Sequence, residues 1–142
     1  MIKLTLTIFC SLFFIALNAQ KTTFNLTVTI TNLKNTKGKV EVGLYRNAAN
    51  FAKVGLTYKK IRTTISGNQV SVVFKDLIGG SYGVCIFHDV NNNNSCDRNY
   101  LGIPTEPYGF SNNRRPVLSA PSFESCAIKL NQNKTISIKC AF

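Results

Sequence analysis

The chain has 142 residues, 44% of them apolar, with 17 Lys and Arg against 6 Asp and Glu for a formal net charge of +11. That is enough chain for one hydrophobic core, and too apolar a composition for a disordered protein. The bases are scattered, paired only at Lys59-Lys60 and Arg114-Arg115 and never interleaved with aromatics, which excludes a recognisable nucleic-acid-binding motif and leaves a solvated cationic surface.

Met1-Ile2-Lys3 is a short basic start, Ile8 to Leu17 is an uncharged apolar run, and Ala19 precedes Gln20. This is the layout of a secretory signal peptide, with cleavage expected after Ala19 and residues 20–142 left as a single domain. The apolar run is too short to span a bilayer, so no transmembrane helix is expected in the mature chain. Cys10 has no small residue just before it, which argues against a lipid-modified cysteine. The expected location is secreted or periplasmic.

Period-two alternation then marks the strands. Leu26, Val28 and Ile30 alternate with threonines, and Val40, Val42 and Leu44 follow the turn Asn35 to Gly38. Asn47 to Ala52 is short and Ala-rich and reads as one or two helical turns capped by Asn47. Ile61, Thr63 and Ile65 share a face, and Gly67-Asn68 reads as a hairpin turn into Val70, Val72 and Phe74. Tyr82 to His88 is apolar on both faces, as in a central strand. Prolines 104 and 107 with glycines 102 and 109 exclude a helix in the next stretch. Alternation returns at Cys126, Ile128, Leu130 and at Ile136, Ile138, Cys140. About seven short strands predict an all-β fold, an antiparallel β-sandwich of prealbumin or immunoglobulin type with one long irregular loop.

That loop carries the candidate chemistry. Asp89, Asn91, Asn93, Ser95 and Asp97 place oxygens at alternate positions, the spacing with which a loop wraps a hard cation. On the helix-loop-helix calcium template they fall at positions one, three, five, seven and nine, with the Ser95 carbonyl as ligand. Asn94 takes position six, which needs positive φ. Tyr100 at position twelve supplies no carboxylate, so Glu106 is the candidate sixth ligand. The expected cofactor is weakly bound Ca2+, with Kd of about 10⁻⁴–10⁻³ M. Asp89→Ala and Asp97→Ala are expected to leave the cation-free protein almost unchanged in stability. The competing reading is a turn held by side-chain to backbone hydrogen bonds.

The mature chain keeps Cys85, Cys96, Cys126 and Cys140. An even number in an exported chain favours two disulfides, with three possible connectivities. A hairpin pairing Leu130 with Ile136 would set Cys126 against Cys140, leaving Cys85–Cys96 to close the base of the loop. Tyr100, Tyr108 and Phe110 are candidates for an exposed aromatic binding surface.

The blocks Gly80-Ser81-Tyr82-Gly83-Val84, His88-Asp89 with the Asn series and Asp97, Leu101 to Glu106, Tyr108 to Asn113, and Pro121-Ser122-Phe123-Glu124 resemble an exported bacterial family known as domain of unknown function 2141. The sequence departs from that pattern at Asn94, where the family usually has glycine, and at Cys96. The resemblance implies a secreted or periplasmic β-sandwich and no established activity. A looser similarity to prealbumin-like sandwich modules concerns the fold alone. Function is therefore expected to be that of an exported, non-enzymatic, calcium-stabilised module binding an envelope, polysaccharide or protein partner. The alternative is a small secreted hydrolase using His88 with Asp89 or Glu106, which requires these groups to converge in an open cleft.

Overall fold

The computed structural model describes residues 21–141. The signal-peptide expectation for residues 1–19, Cys10 included, lies outside the described residues. Among these residues eight strands run in chain order: β1 Thr23–Thr31, β2 Lys39–Tyr45, β3 Lys59–Thr64, β4 Val70–Ile78, β5 Gly80–Asp89, β6 Tyr108–Phe110, β7 Ile128–Leu130 and β8 Lys134–Lys139. One helical turn, α1, spans Phe123–Cys126, and Ser111–Asn113 form a 3-10 turn.

The strands make a three-stranded sheet ordered β4-β1-β8 and a five-stranded sheet ordered β3-β2-β5-β6, with β7 also pairing with β5. The two sheets form a β-sandwich. Most ladders are antiparallel, as expected, but β8 runs parallel to β1, with Val28 opposite Ile136 and Ile30 opposite Ile138. The strand β5 is central, with β2 along one edge and β6 and β7 along the other.

The inward faces follow from alternation. Leu26, Val28 and Ile30 of β1, Val72 and Phe74 of β4, and Ile138 of β8 meet Val40, Val42 and Leu44 of β2 and Tyr82, Val84 and Ile86 of β5 in one buried cluster. A second, smaller cluster covers the outer face of the five-stranded sheet. There Phe51, Phe123 and Cys126 pack over Tyr45, Cys85, Tyr108 and Phe110. The ring of Phe51 lies edge-on to Tyr45 at 5.5 Å and to Phe123 at 5.7 Å, an arrangement that aromatic quadrupoles favour.

Local turn chemistry misled in three places. Gly67-Asn68 does not close a hairpin: β3 pairs with β2 and β4 pairs with β1, so the chain crosses between sheets there. The last two strands also part, β7 to β5 and β8 to β1. Residues 47–52 form successive turns rather than a helix, although Asn47 does cap the first, its Oδ1 accepting the Asn50 N–H at 2.9 Å.

The short strand β6 depends on a missing side chain. A Cβ on Gly109 would sit 2.9 Å from Ile138 Cγ2 and 2.9 Å from the Lys139 carbonyl oxygen. Gly109→Ala should therefore cost about 1–3 kcal/mol through overpacking, read as a lower midpoint in denaturant with an unchanged slope; an unchanged midpoint would show that β6 has room to shift.

Candidate functional site

The loop after β5 is built on one carboxylate. Asp89 is fully buried. Its Oδ1 accepts the Asn93 N–H at 3.0 Å, its Oδ2 accepts the Asn94 N–H at 2.9 Å, and the Arg62 guanidinium of β3 also bonds Oδ2. Burial alone would raise this carboxyl, but Arg62 and the two N–H groups outweigh it and hold Asp89 below the ordinary carboxylate range. Arg62 also reaches Glu41 Oε2 at 3.3 Å, so one guanidinium links the carboxylates of two strands.

The rest of the loop winds on the same principle. Asn91 Oδ1 accepts the Asn93 N–H at 3.1 Å, and Asn93 Oδ1 accepts the Ser95 N–H at 2.9 Å. The amide nitrogens of both side chains donate to Asp97, Asn91 at 2.7 Å and Asn93 at 2.9 Å. Asn92 and Asn94 take positive φ, 59° and 67°, which asparagine tolerates better than most residues. Glu106 is buried and closes the loop from its far end, accepting the Val90 N–H at 2.9 Å and the Asp97 N–H at 3.2 Å.

The expected metal residues Asp89, Asn91, Asn93, Ser95, Asp97 and Glu106 are thus gathered in one loop. Their oxygens are largely engaged with backbone N–H groups, amide protons and Arg62. Among the described residues no group of three or more His, Cys, Asp or Glu side chains is arranged to hold a metal ion. The engagement of Asp89 also corrects an expectation. This side chain is a structural cap, and its removal cannot leave the cation-free protein unchanged.

His88 points into the sandwich and is 1% exposed. Its Nε2 lies 2.6 Å from the Lys37 carbonyl oxygen, so Nε2 carries the proton. Nδ1 is buried without a hydrogen-bond partner among the described residues. The neighbouring turn is drawn in tightly: a Cβ on Gly38, at φ 66°, would fall 1.8 Å from the Asp89 carbonyl oxygen. Only glycine suits that position. His88, Asp89 and Glu106 are all buried, so they do not form the open cleft that the hydrolase reading requires.

The aromatic candidates separate. Tyr100 is 94% exposed, together with Leu101 and Ile103. Their turn is pinned by Asn99, whose Oδ1 accepts the Leu101 and Ile103 N–H groups, each at 3.0 Å. Phe110 is buried in the outer cluster and Tyr108 is half-buried against it, because both lie on the face that Phe51 and α1 cover. They are not part of an exposed surface with Tyr100.

The cysteine pairs expected from the sequence are not formed. Cys85, Cys96, Cys126 and Cys140 are all thiols. Cys126 ends α1 rather than starting a strand, and the strands after it belong to different sheets, so the register that would oppose Cys126 to Cys140 does not exist. Cys140 lies in the main core, where burial pushes its thiol up to about 12.

Sequence reasoning missed Arg62 and the Ser111-Asn112-Asn113 clamp. Ser111 Oγ accepts the Val84 N–H at 3.0 Å and donates to the Cys126 carbonyl at 2.6 Å. Asn112 donates to the carbonyls of Ser125 and Ala127, and Asn113 bonds the backbone of Ser137 and Lys139. The signal was present in the polar run after Phe110, which is too short for a helix and rich in residues that tolerate positive φ; both asparagines adopt it.

A β-sandwich with a self-bonded polar loop at the end of its central strand defines the structural class. Within that class, the chain matches over residues 28–138 the model of a family described as an uncharacterized protein conserved in bacteria (DUF2141), and it belongs to that family. No curated protein and no solved structure matches it. Among the described residues no helix is long and apolar enough to cross a membrane.

Asp89→Ala should lower stability by about 3 kcal/mol, since it strips the partner from Arg62 and two N–H groups. Because the folded-state carboxyl is depressed, its stabilisation is full above the unfolded value of about 3.9 and is lost as pH falls through the folded value. Urea titrations from neutral pH down to about pH 2 should therefore give a shallower acid limb for Asp89→Ala than for wild type; parallel curves would remove Asp89 from this role.

Proposed function

We propose that the protein is an exported, non-enzymatic β-sandwich module that binds an anionic partner, such as an acidic polysaccharide, in the envelope or outside the cell. One observation carries this reading: four of the six acids are engaged by partners within the chain. Asp89 and Glu106 are buried caps, Glu41 pairs with Lys60 and Arg62, and Asp97 holds two asparagine amides. Asp76 and Glu124 are left exposed to face a surface on which most Lys and Arg are free. Such an imbalance attracts polyanions over roughly a Debye length. The pinned Tyr100 turn offers an apolar contact beside that charge. The export component rests on the signal-peptide pattern of residues 1–19. The burial of His88, Asp89 and Glu106 speaks against the hydrolase alternative.

Co-sedimentation with a bacterial envelope fraction tests this. Binding should be strong at low salt and fall at least tenfold as ionic strength rises toward about 1 M, where the Debye length is about 3 Å. Tyr100→Ala should weaken retention without changing the melting temperature. Absence of binding at low salt would sink the proposal.

A second reading, weak calcium binding, is favoured by the winding of the loop. Asp89 at position one accepts the N–H groups of positions five and six, and Asn94 at position six has positive φ. For calcium to enter, the Asn91 and Asn93 amides must turn away from Asp97. At about 10 mM Ca2+ a site with Kd of about 10⁻⁴–10⁻³ M adds roughly 1.4–2.7 kcal/mol, a rise of roughly 5–15 °C in Tm. Magnesium should do much less, and Asp97→Ala should abolish the shift. Identical melting curves in calcium and in chelator would leave the loop as a hydrogen-bonded turn.

A further inference from the structure

We infer that Cys85 and Cys126 form a covalent cross-link site, pairing with each other and not with Cys96 or Cys140 when the chain folds under oxidising conditions. The two thiols share the small cluster on the outer face of the five-stranded sheet, with Cys126 fully buried and Cys85 packed against that cluster. Two features bring their backbones together. The single Ser111 hydroxyl bridges the Val84 N–H and the Cys126 carbonyl, at 3.0 and 2.6 Å, and so ties the residue before Cys85 to Cys126 itself. The α1 turn also lies along β5: a Cβ on Gly83 would meet the Phe123 ring at 3.1 Å. Cys85 is two residues beyond Gly83 on the same strand face, and Cys126 is three beyond Phe123 on the helical turn. These steps are similar in length, about 6.8 Å in a strand and about 5 Å in a helix, so α1 carries Cys126 over Cys85 as it carries Phe123 over Gly83.

The other two cysteines sit elsewhere. Cys140 is in the main core between the sheets, and Cys96 follows the Asn-rich run, beside Asp97 and Glu106. The 85–126 bond would close the whole irregular excursion, Asn-rich loop and clamp included, at its base.

The chemistry is ordinary thiol–disulfide exchange. One thiolate attacks a small-molecule or protein disulfide and releases one reduced thiol. The second thiolate then attacks the resulting mixed disulfide and releases the other. Two protons leave the cysteines, and the acceptor disulfide takes both electrons. Burial raises both thiols in the folded protein, so the exchange belongs to folding, before the outer cluster closes.

The test refolds the full chain in glutathione with its disulfide, quenches it with an alkylating reagent, and maps peptides by mass spectrometry without reduction. A peptide joining Cys85 to Cys126 is expected, with Cys96 and Cys140 alkylated. The bond should persist in Cys96→Ser and Cys140→Ser and vanish in Cys85→Ser. Closing a loop of about 40 residues should raise Tm by roughly 10–15 °C over the reduced protein. Four alkylated cysteines in the refolded wild type, or a bond between any other pair, would overturn the assignment.

Discussion

The ion pair between the buried Asp89 carboxylate and the half-buried Arg62 is the interaction on which the loop end of the sandwich depends. Asp89 closes the central strand, and its carboxylate turns the chain back through the N–H groups of Asn93 and Asn94. Arg62 comes from β3, at the edge of the same sheet, and reaches across β2 to get there. A buried carboxylate without these partners would bear the full desolvation penalty of a charge. The position of the loop is therefore fixed by a side chain 27 residues away in sequence. The approach of Gly38 to the Asp89 carbonyl and the bond from His88 to Lys37 lock the turn before β2 against the same strand end.

The opposite flank is held by smaller, neutral contacts. Ser111, Asn112 and Asn113 bond to β5, to the α1 region and to β8. Each replaces a ladder bond that irregular backbone cannot make for itself. This keeps Phe123 and Cys126 over the outer face of the sheet, where Gly83 leaves room for aromatic rings. The long segment between β5 and β7 has little regular structure, yet it is organised by side-chain bonds at both of its ends.

The strands were legible because each alternates apolar and polar residues, and alternation is local. Their partners were not. Gly67-Asn68 has the chemistry of a tight turn whether the next strand folds back or crosses to the other sheet. Strand β6 has only three residues, and its central Gly109 carries no hydrophobic signal, so it could be recognised only from the Ile138 side chain that fills the space above it. The oxygens at alternate positions from Asp89 to Asp97 do lie in one loop. Whether such oxygens face a cation or N–H groups depends on Arg62, which no local spacing reveals. Tyr108 and Phe110 looked available because the elements that cover them, Phe51 and α1, are remote in sequence.

The parallel pairing of β1 with β8 has a consequence in time. Leu26 lies opposite Lys134 and Thr31 opposite Lys139, so the first and last strands are neighbours in space while nearly the whole domain separates them in sequence. A sheet of this kind cannot be completed from the amino-terminal half as synthesis proceeds. Until the final strand emerges, β1 retains an unsatisfied edge and half of its hydrogen-bonding groups await partners. Contacts of such long sequence separation slow folding, since the loop-closure entropy is spent before any pairing energy is returned. The nascent chain would thus stay open until its last strand is available, and β1 would carry a bare edge for the whole of that interval.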